Sequence, residues 1–446
     1  MKRILLILTL ALVALAGCKK DPAPEPMAGK VSQIKLVGMP TEFTVGRSVT
    51  ISAVITPDDA ADKSVTFTSS NPEVATVEYT KSEYNYSLAL LKAVSPGKAT
   101  ITATANDGSG VKAEAEVTVI PYTSTSTANC YIVTKAGEYT FKAVKGNSSE
   151  SVGSVASAEV LWESFGTHET PKVGDLVKDV SYKDGEITFT ATDKKGNTVI
   201  AAKDASDKVL WSWHIWLTDQ PKEQEYDNNA GTMMDRNLGA TSSTPGDVGA
   251  LGLLYQWGRK DPFIGSSSIS DENEAKSTIT WPSAVKSNSS SGTIAYAIAN
   301  PTTFIIGNDS NYDWYYTGSS STDDTRWTAS DKAKSIYDPC PLGWRVPDGG
   351  DNGIWSKAGF DDTTYDNTNR GISFSISYPS NTWYPASGYL DFSDGSLRSV
   401  TGSGSYWSAS PYNRSAYCLY LRYDSSVDPS CHYIRAYGLS VRCVKE

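Results

Sequence analysis

Histidine is scarce in this chain of 446 residues, with three in all, which leaves little material for a His-rich metal site. A basic excess is also missing: Lys and Arg number 40 against 50 Asp and Glu, a formal charge of −10. That balance excludes broad electrostatic binding to nucleic acid or to an anionic membrane surface, both of which need clustered cations. No apolar run is long enough to cross a bilayer as a helix. The longest, Ile4 to Ala16, is broken only by Thr9 and ends well short of the about 20 residues required. Also absent are a Gly-x-Ser-x-Gly elbow, a His-Glu-x-x-His pair and a glycine loop shaped for phosphate. We therefore expect a non-enzyme, with no catalytic residues, no metal site and no cofactor. What is present is β-forming material: 35 glycines, 21 prolines and frequent Ser/Thr/Asn/Asp clusters, the marks of short strands and many turns. The length suffices for two or three domains of about 100–200 residues.

Met1-Lys2-Arg3 followed by the apolar run has the length and polarity of a signal peptide. It closes on Leu15-Ala16-Gly17-Cys18, which resembles the lipobox of bacterial lipoproteins. The resemblance implies that residues 1–17 are removed and that Cys18 carries lipid on its sulfur and its new amine, enough acyl chains for stable anchoring in an outer membrane. Residues 18–30, with Pro22, Pro24 and Pro26 alternating, read as an extended tether.

Residues 31–120 alternate as half-buried strands do. Ser48-Val49-Thr50-Ile51-Ser52-Ala53-Val54-Ile55 and Ala99-Thr100-Ile101-Thr102-Ala103-Thr104-Ala105 each put every second residue on one face. Turn chemistry such as Thr56-Pro57-Asp58-Asp59 and Asn106-Asp107-Gly108 separates the runs. The stretches Val65 to Val77 and Ala93 to Thr104 make the segment similar to the bacterial Ig-like domain of group 2, and the resemblance implies a β-sandwich spacer of the kind found in adhesin stalks. It departs from the family at Glu78 to Leu91, a longer hairpin bearing Tyr79, Tyr84 and Tyr86. These tyrosines read as solvated.

Residues 121–207 are a polar linker and a small β-module with no nameable chemistry. Beyond them tryptophan is concentrated between Trp211 and Trp407. Val209 to Leu217 carries bulky residues on both faces, as a covered central strand would. Val248 to Arg259, with Asp247 as N-cap, reads as a helix, and Asn352 to Ala358 as a shorter one. Met234-Asp235-Arg236-Asn237-Leu238-Gly239, then Asp338-Pro339-Cys340-Pro341-Leu342-Gly343-Trp344-Arg345-Val346-Pro347, then Tyr406-Trp407-Ser408-Ala409-Ser410 and the ending Gly438 to Val444 resemble the Fibrobacter succinogenes major paralogous domain. That family is associated with the C-type-lectin-like fold. The expected fold class is thus mainly β and multidomain: an Ig-like β-sandwich, a small β-module, and a C-terminal α+β C-type-lectin-like domain over residues 208–446.

The lectin-like pattern implies nested bridges, Cys340–Cys443 and Cys418–Cys431, and leaves Cys130 as a free thiol or an intermolecular partner. Formylglycine-generating enzymes share the broad fold, but they need closely placed reactive cysteines. His432 beside Cys431 makes a poor base for it, because neighbours in a strand face opposite ways. His214 reads as a structural imidazole. For ligand contact the candidates are Trp383, Tyr384 and Tyr389, aromatics in a polar stretch of the kind that binds sugar rings. The calcium-lectin signatures Glu-Pro-Asn and Trp-Asn-Asp are missing. The sequence as a whole points to a lipid-anchored outer-membrane protein at the cell surface, adhesive or ligand-recognising, with a glycan or a cell-surface protein as its partner. The alternative is an accessory subunit of a surface assembly such as a fimbria.

Overall fold

The computed structural model describes residues 29–44, 48–95, 97–120, 127–327, 334–361, 363–377 and 380–446. The signal segment, Cys18 and most of the tether lie outside them. The chain divides at residue 121 into two compact units. Strands dominate both, and the α-helices of the described residues span only six and five residues. A mainly β, multidomain architecture is what the alternation of the sequence implies.

The first unit contains β1 (Gln33–Val37), β2 (Glu42–Thr44), β3 (Ser48–Thr56), β4 (Val65–Ser69), β5 (Ala75–Glu83), β6 (Tyr86–Ala93), β7 (Gly97–Ala105) and β8 (Lys112–Ile120). They form two four-stranded sheets, ordered β1-β3-β6-β5 and β2-β8-β7-β4. Period-2 alternation buries Ile51, Ala53, Ile55, Leu91, Ile101, Ala103 and Val117 completely, and a slip of one residue would turn all of them outward. Tyr84, at the tip of the β5–β6 hairpin, is 98% exposed. Its place in solvent agrees with the solvated reading.

The second unit opens with β9 (Cys130–Val133), β10 (Gly137–Lys142), β11 (Ser157–Ser164), β12 (Val177–Lys183), β13 (Glu186–Ala191), β14 (Gly196–Lys203) and β15 (Val209–Leu217). Two sheets result, β10-β13-β12 and β11-β14-β15-β9. Strand β15 is covered on both faces, as its residues foretold. Trp211, Trp213 and Ile215 enter one buried cluster with Phe141 and Phe189. Trp216 enters another, with Trp257, Trp344 and Trp407. The expected boundary between residues 207 and 208 is therefore corrected: β15 pairs with β14 and β9 on its near side and its tryptophans are split between two cores. A wall shared by two cores cannot be a domain edge.

The remaining strands are β16 (Glu223–Tyr226), β17 (Gly231–Met234), β18 (Leu254–Gln256), β19 (Val285–Lys286), β20 (Ile305–Ile306), β21 (Trp344–Arg345), β22 (Tyr365–Asp366), β23 (Gly371–Ser375), β24 (Asn381–Pro385), β25 (Tyr389–Leu390), β26 (Leu397–Arg398), β27 (Ser403–Tyr412), β28 (Ser415–Arg422), β29 (Val427–Ile434), β30 (Gly438–Ser440) and β31 (Val444–Lys445). They assemble as β16-β17-β31-β21, as β22-β23-β24, as the pair β19-β20, and as a seven-stranded sheet ordered β26-β25-β30-β27-β28-β29 with β18 beside β30. Helix α1 is Ile294–Ala299 and α2 is Ile354–Ala358.

The helix expected over Val248 to Arg259 is not formed. A single 3-10 turn, Val248–Ala250, is capped by Asp247 and gives way to β18. Leu251, Leu253, Leu254, Tyr255 and Trp257 are all buried, so the apolar pattern is continuous rather than one-sided. Gly252 also adopts φ +74°, and a Cβ there would stand 2.8 Å from the Leu238 carbonyl oxygen. The left-handed residue ends the helical path. Asn352 to Ala358 fares better, as α2 occupies most of it.

Cys340 and Cys443 form a disulfide, with both sulfurs in the Trp-rich core. Cys418 and Cys431 are thiols, which corrects the second expected bridge. They sit directly opposite each other on β28 and β29, and the register shifts just beyond them, between Cys418 and Tyr420. The pair is thus placed as a bridge would need but left as a hydrogen-bonded dithiol. Deeper in the unit, Arg326 pairs with Asp313 at 2.8 Å while its guanidinium lies over Trp257 and Trp314. Flat cations among indoles fill space that aliphatic side chains could not.

Candidate ligand-recognition surfaces

The three aromatic candidates lie within seven positions, yet they go to three different places. Tyr384 is completely buried. Its hydroxyl is 2.7 Å from that of Tyr226 and accepts from Trp355 Nε1 at 3.0 Å. The Arg442 guanidinium lies 3.8 Å from its ring centre, and burial pushes its phenol well up. Arg442 in turn donates to Asn237 Oδ1 and to the Trp383 carbonyl. Tyr384 is a core residue, and its expected ligand contact is withdrawn. In strand β24 its alternate neighbour must face the other way.

Trp383 is that neighbour. It lines a groove of about 640 Å³ between β16 and the β23–β24 hairpin, together with Gln224, Glu225, Asp235 and Asn381. The indole can lie across β23 because residue 371 is glycine: a Cβ there would stand 2.6 Å from Trp383 Cζ2. Gln224 Nε2 donates to the Asn381 carbonyl at 3.2 Å, joining the two walls.

Tyr389 belongs to a third setting, a ladder of rings over one face of the seven-stranded sheet. Tyr389 and Phe392 both pack on Tyr437, at 5.3 and 4.9 Å between centroids. Tyr433 joins Tyr437 at 5.3 Å and Tyr420 joins Tyr433 at 6.1 Å. Tyr312 extends the series to Phe392 and is 47% exposed. The contacts are edge-to-face or tilted, so the rings brace one another against the Trp-rich core and present edges and hydroxyls rather than flat faces. Burial pushes the Tyr437 phenol up to about 12. None of the hydroxyls of Tyr389, Tyr420, Tyr433 and Tyr437 has a hydrogen-bond partner among the described residues. Sequence reasoning found Tyr389 but missed the other members, which come from four separate segments and share no spacing.

The Cys418–Cys431 pair lies beneath this ladder. A hydrogen bond from Cys418 lowers the Cys431 thiol, while burial pushes that of Cys418 up. His432 is on the opposite face, stacked on Tyr412 at 4.3 Å, so it does not serve Cys431 as a base. Cys130 is 1% exposed and its thiol is pushed up by burial, which leaves it unable to bridge another chain. His214 is buried, and Asn197 fixes its protonation. The Asn197 amide donates to the Gly239 carbonyl, so its oxygen faces His214 Nε2, which carries the proton at 2.9 Å. Burial holds the imidazole down, to about 3. It is a structural residue.

Two antiparallel-rich sheets, each with its alternate residues turned into one shared core, form the first unit. Residues 30–117 match the bacterial Ig-like domain (group 2). The Ig-like domain so placed covers nearly all of β1 to β8. No curated protein matches the chain. Among solved structures, domains 4 and 5 of the S-layer protein SbsC are 19% identical over 20% of this chain and 52% of that fragment, with a TM-score of 0.18. The chain thus spans about half of that fragment. The Escherichia coli adhesin FdeC is 15% identical over 42% of this chain and 66% of its own, with a TM-score of 0.22. These likenesses concern the fold alone.

Proposed function

We propose that the chain is a non-catalytic cell-envelope lipoprotein, anchored in the outer membrane through Cys18 and turned toward the exterior. In this reading the Ig-like domain is a spacer, and the second unit, lectin-like by its motifs, recognises a glycan or protein ligand. The observation that carries the reading is the tyrosine ladder. Rigid amphipathic rings with open hydroxyls give large contact area at low entropic cost, the chemistry that recognition surfaces favour. The accessory-subunit alternative would gain from a reactive Cys130 or an open strand edge. Cys130 is buried, and on the terminal strand β29 Pro429 lacks the N–H that one ladder bond would need.

The test is binding of the full chain to an array of glycans and extracellular-matrix proteins, with calcium and with chelator. We expect a signal that the double variant Tyr389→Ser/Tyr437→Ser abolishes while the protein remains folded by circular dichroism, at a lower melting temperature because both rings pack on the core. A blank array from folded protein, or binding indifferent to the double variant, would overturn the reading.

A further inference from the structure

We infer that the tyrosine ladder binds a proline-rich segment of another protein, held as polyproline II and flanked by lysine or arginine. This partner rests on the reading of the ladder as the recognition surface, and three features of that surface point to it. The first is a set of donors. The hydroxyls of Tyr389, Tyr420, Tyr433 and Tyr437 have no hydrogen-bond partner among the described residues, and their oxygens are not among the atoms sealed from solvent. An incoming group can therefore reach them. Burial raises the phenols of Tyr420, Tyr433 and Tyr437, and Tyr389 stands near enough to raise each further, so these three keep their protons to donate. Polyproline II leaves its backbone carbonyls without internal partners, and proline brings no N–H to compete for them. The second feature is shape. Rings meeting edge-to-face or tilted at 5.3, 5.3 and 6.1 Å form ridges and notches, and the three steps match roughly five residues of polyproline II at about 3.1 Å each. That helix is ordered before it docks, so binding costs little further entropy.

Charge is the third feature. At one end of the ladder Arg398 lies across from Tyr389 on the neighbouring strand and is held by Asp394 at 2.9 Å. Asp391, within electrostatic reach of Tyr437, has Arg398 only at 3.9 Å. At the other end Arg422 lies 3.7 Å from Asp424. Asp428 sits directly opposite Tyr420; it is exposed and has no ion pair among the described residues. Four carboxylates thus border the rings against two guanidiniums, with one carboxylate in excess at each end. Such a surface draws cations to both flanks of a bound segment and repels acidic ones.

The probe is an amidated peptide of six prolines with an arginine at each end, carrying a neutral dye and titrated against the full chain by fluorescence anisotropy. We expect saturable binding. Exchanging the arginines for glutamates, or the prolines for a Gly-Ser repeat, should weaken it about tenfold or more. Tyr433→Phe and Tyr437→Phe keep the rings and remove one donor each, so each should weaken binding about fivefold, the weight of one hydrogen bond. Asp428→Asn should weaken it by up to about fivefold and flatten its salt dependence. A peptide of residues 19–26, in which Asp21 and Glu25 offset Lys19 and Lys20, should bind less tightly than the probe. No binding, equal binding of the glutamate or Gly-Ser peptide, or indifference to both Phe variants would overturn the proposal. Tighter binding of residues 19–26 would also overturn it, by moving the occupant into this chain. An array signal lost in the Tyr389→Ser/Tyr437→Ser protein, with no binding of the probe, would remove this partner and leave the proposed function standing. A blank array together with no binding of the probe would sink both.

Discussion

Replacing Cys340 and Cys443 together by alanine removes the covalent tie between the middle of the second unit and its last strand. The two cysteines are 103 residues apart. Cross-linking a loop of about 100 residues restricts the unfolded chain enough to be worth about 4.7 kcal/mol in the chain-entropy treatment. Both sulfurs are fully buried beside Trp344 and Trp407, so the alanines also leave small voids, which raises the cost. Against this, β31 stays paired to β17 and β21, which limits how far the end can fray. We expect a loss of about 4 kcal/mol. The molecule supplies its own probe and its own control, because all 12 tryptophans lie in the second unit and the Ig-like domain has neither tryptophan nor cysteine. Urea denaturation followed by tryptophan fluorescence therefore reports the second unit alone, and circular dichroism adds the other. A destabilisation below about 1 kcal/mol, or an equal shift of the Ig-like transition, would refute the reasoning.

Other perturbations separate the two units and their buried groups. Leu91→Ala in the Ig-like core should cost about 2–5 kcal/mol and leave the tryptophan-detected transition where it was. His214 is held neutral in the fold, near 3, but protonates in the unfolded chain at about 6.5. Below pH 6.5 the unfolded state thus binds the extra proton, and stability falls by about 1.4 kcal/mol per pH unit as the medium is acidified. The difference in stability between parent and His214→Gln protein, measured from pH 7 to 4.5, should follow that slope; a difference independent of pH would disprove it. Alkylation of the native chain should label Cys431 first and spare Cys130 and Cys418 until denaturant is added, as mapped by peptide mass spectrometry. Early labelling of Cys130 would contradict its burial.

The fold was legible wherever the pattern was local. Period-2 alternation marks β3 and β7 almost to the residue, and bulky residues on both faces mark β15 as covered. Long-range packing was not legible. Nothing in the order of residues tells that β15 serves two cores, or that an apolar stretch from Ala250 to Trp257 is buried on every side rather than along one stripe. The candidate site shows the same limit within seven positions. Aromatic content singled out Trp383, Tyr384 and Tyr389 alike. Strand alternation could have told the first two apart, had the identity of the buried face been known. Tyr389 needed partners from distant segments before it became part of a surface. The dithiol is a further case: Cys418 and Cys431 face each other across β28 and β29, but whether facing sulfurs bond depends on local register.

The Cys340–Cys443 bond has a mechanical meaning as well. A chain stretched between the start of the second unit and its end transmits load through the disulfide, not through the residues it encloses. That stretch, a sequence separation of 103, would otherwise unravel to about 340–370 Å of extended chain. It includes the strands that carry Trp383, Tyr389, Tyr420 and Tyr433. Under tension the bond acts as a shunt, and the part of the molecule with the most to lose from extension is the part kept out of the line of force.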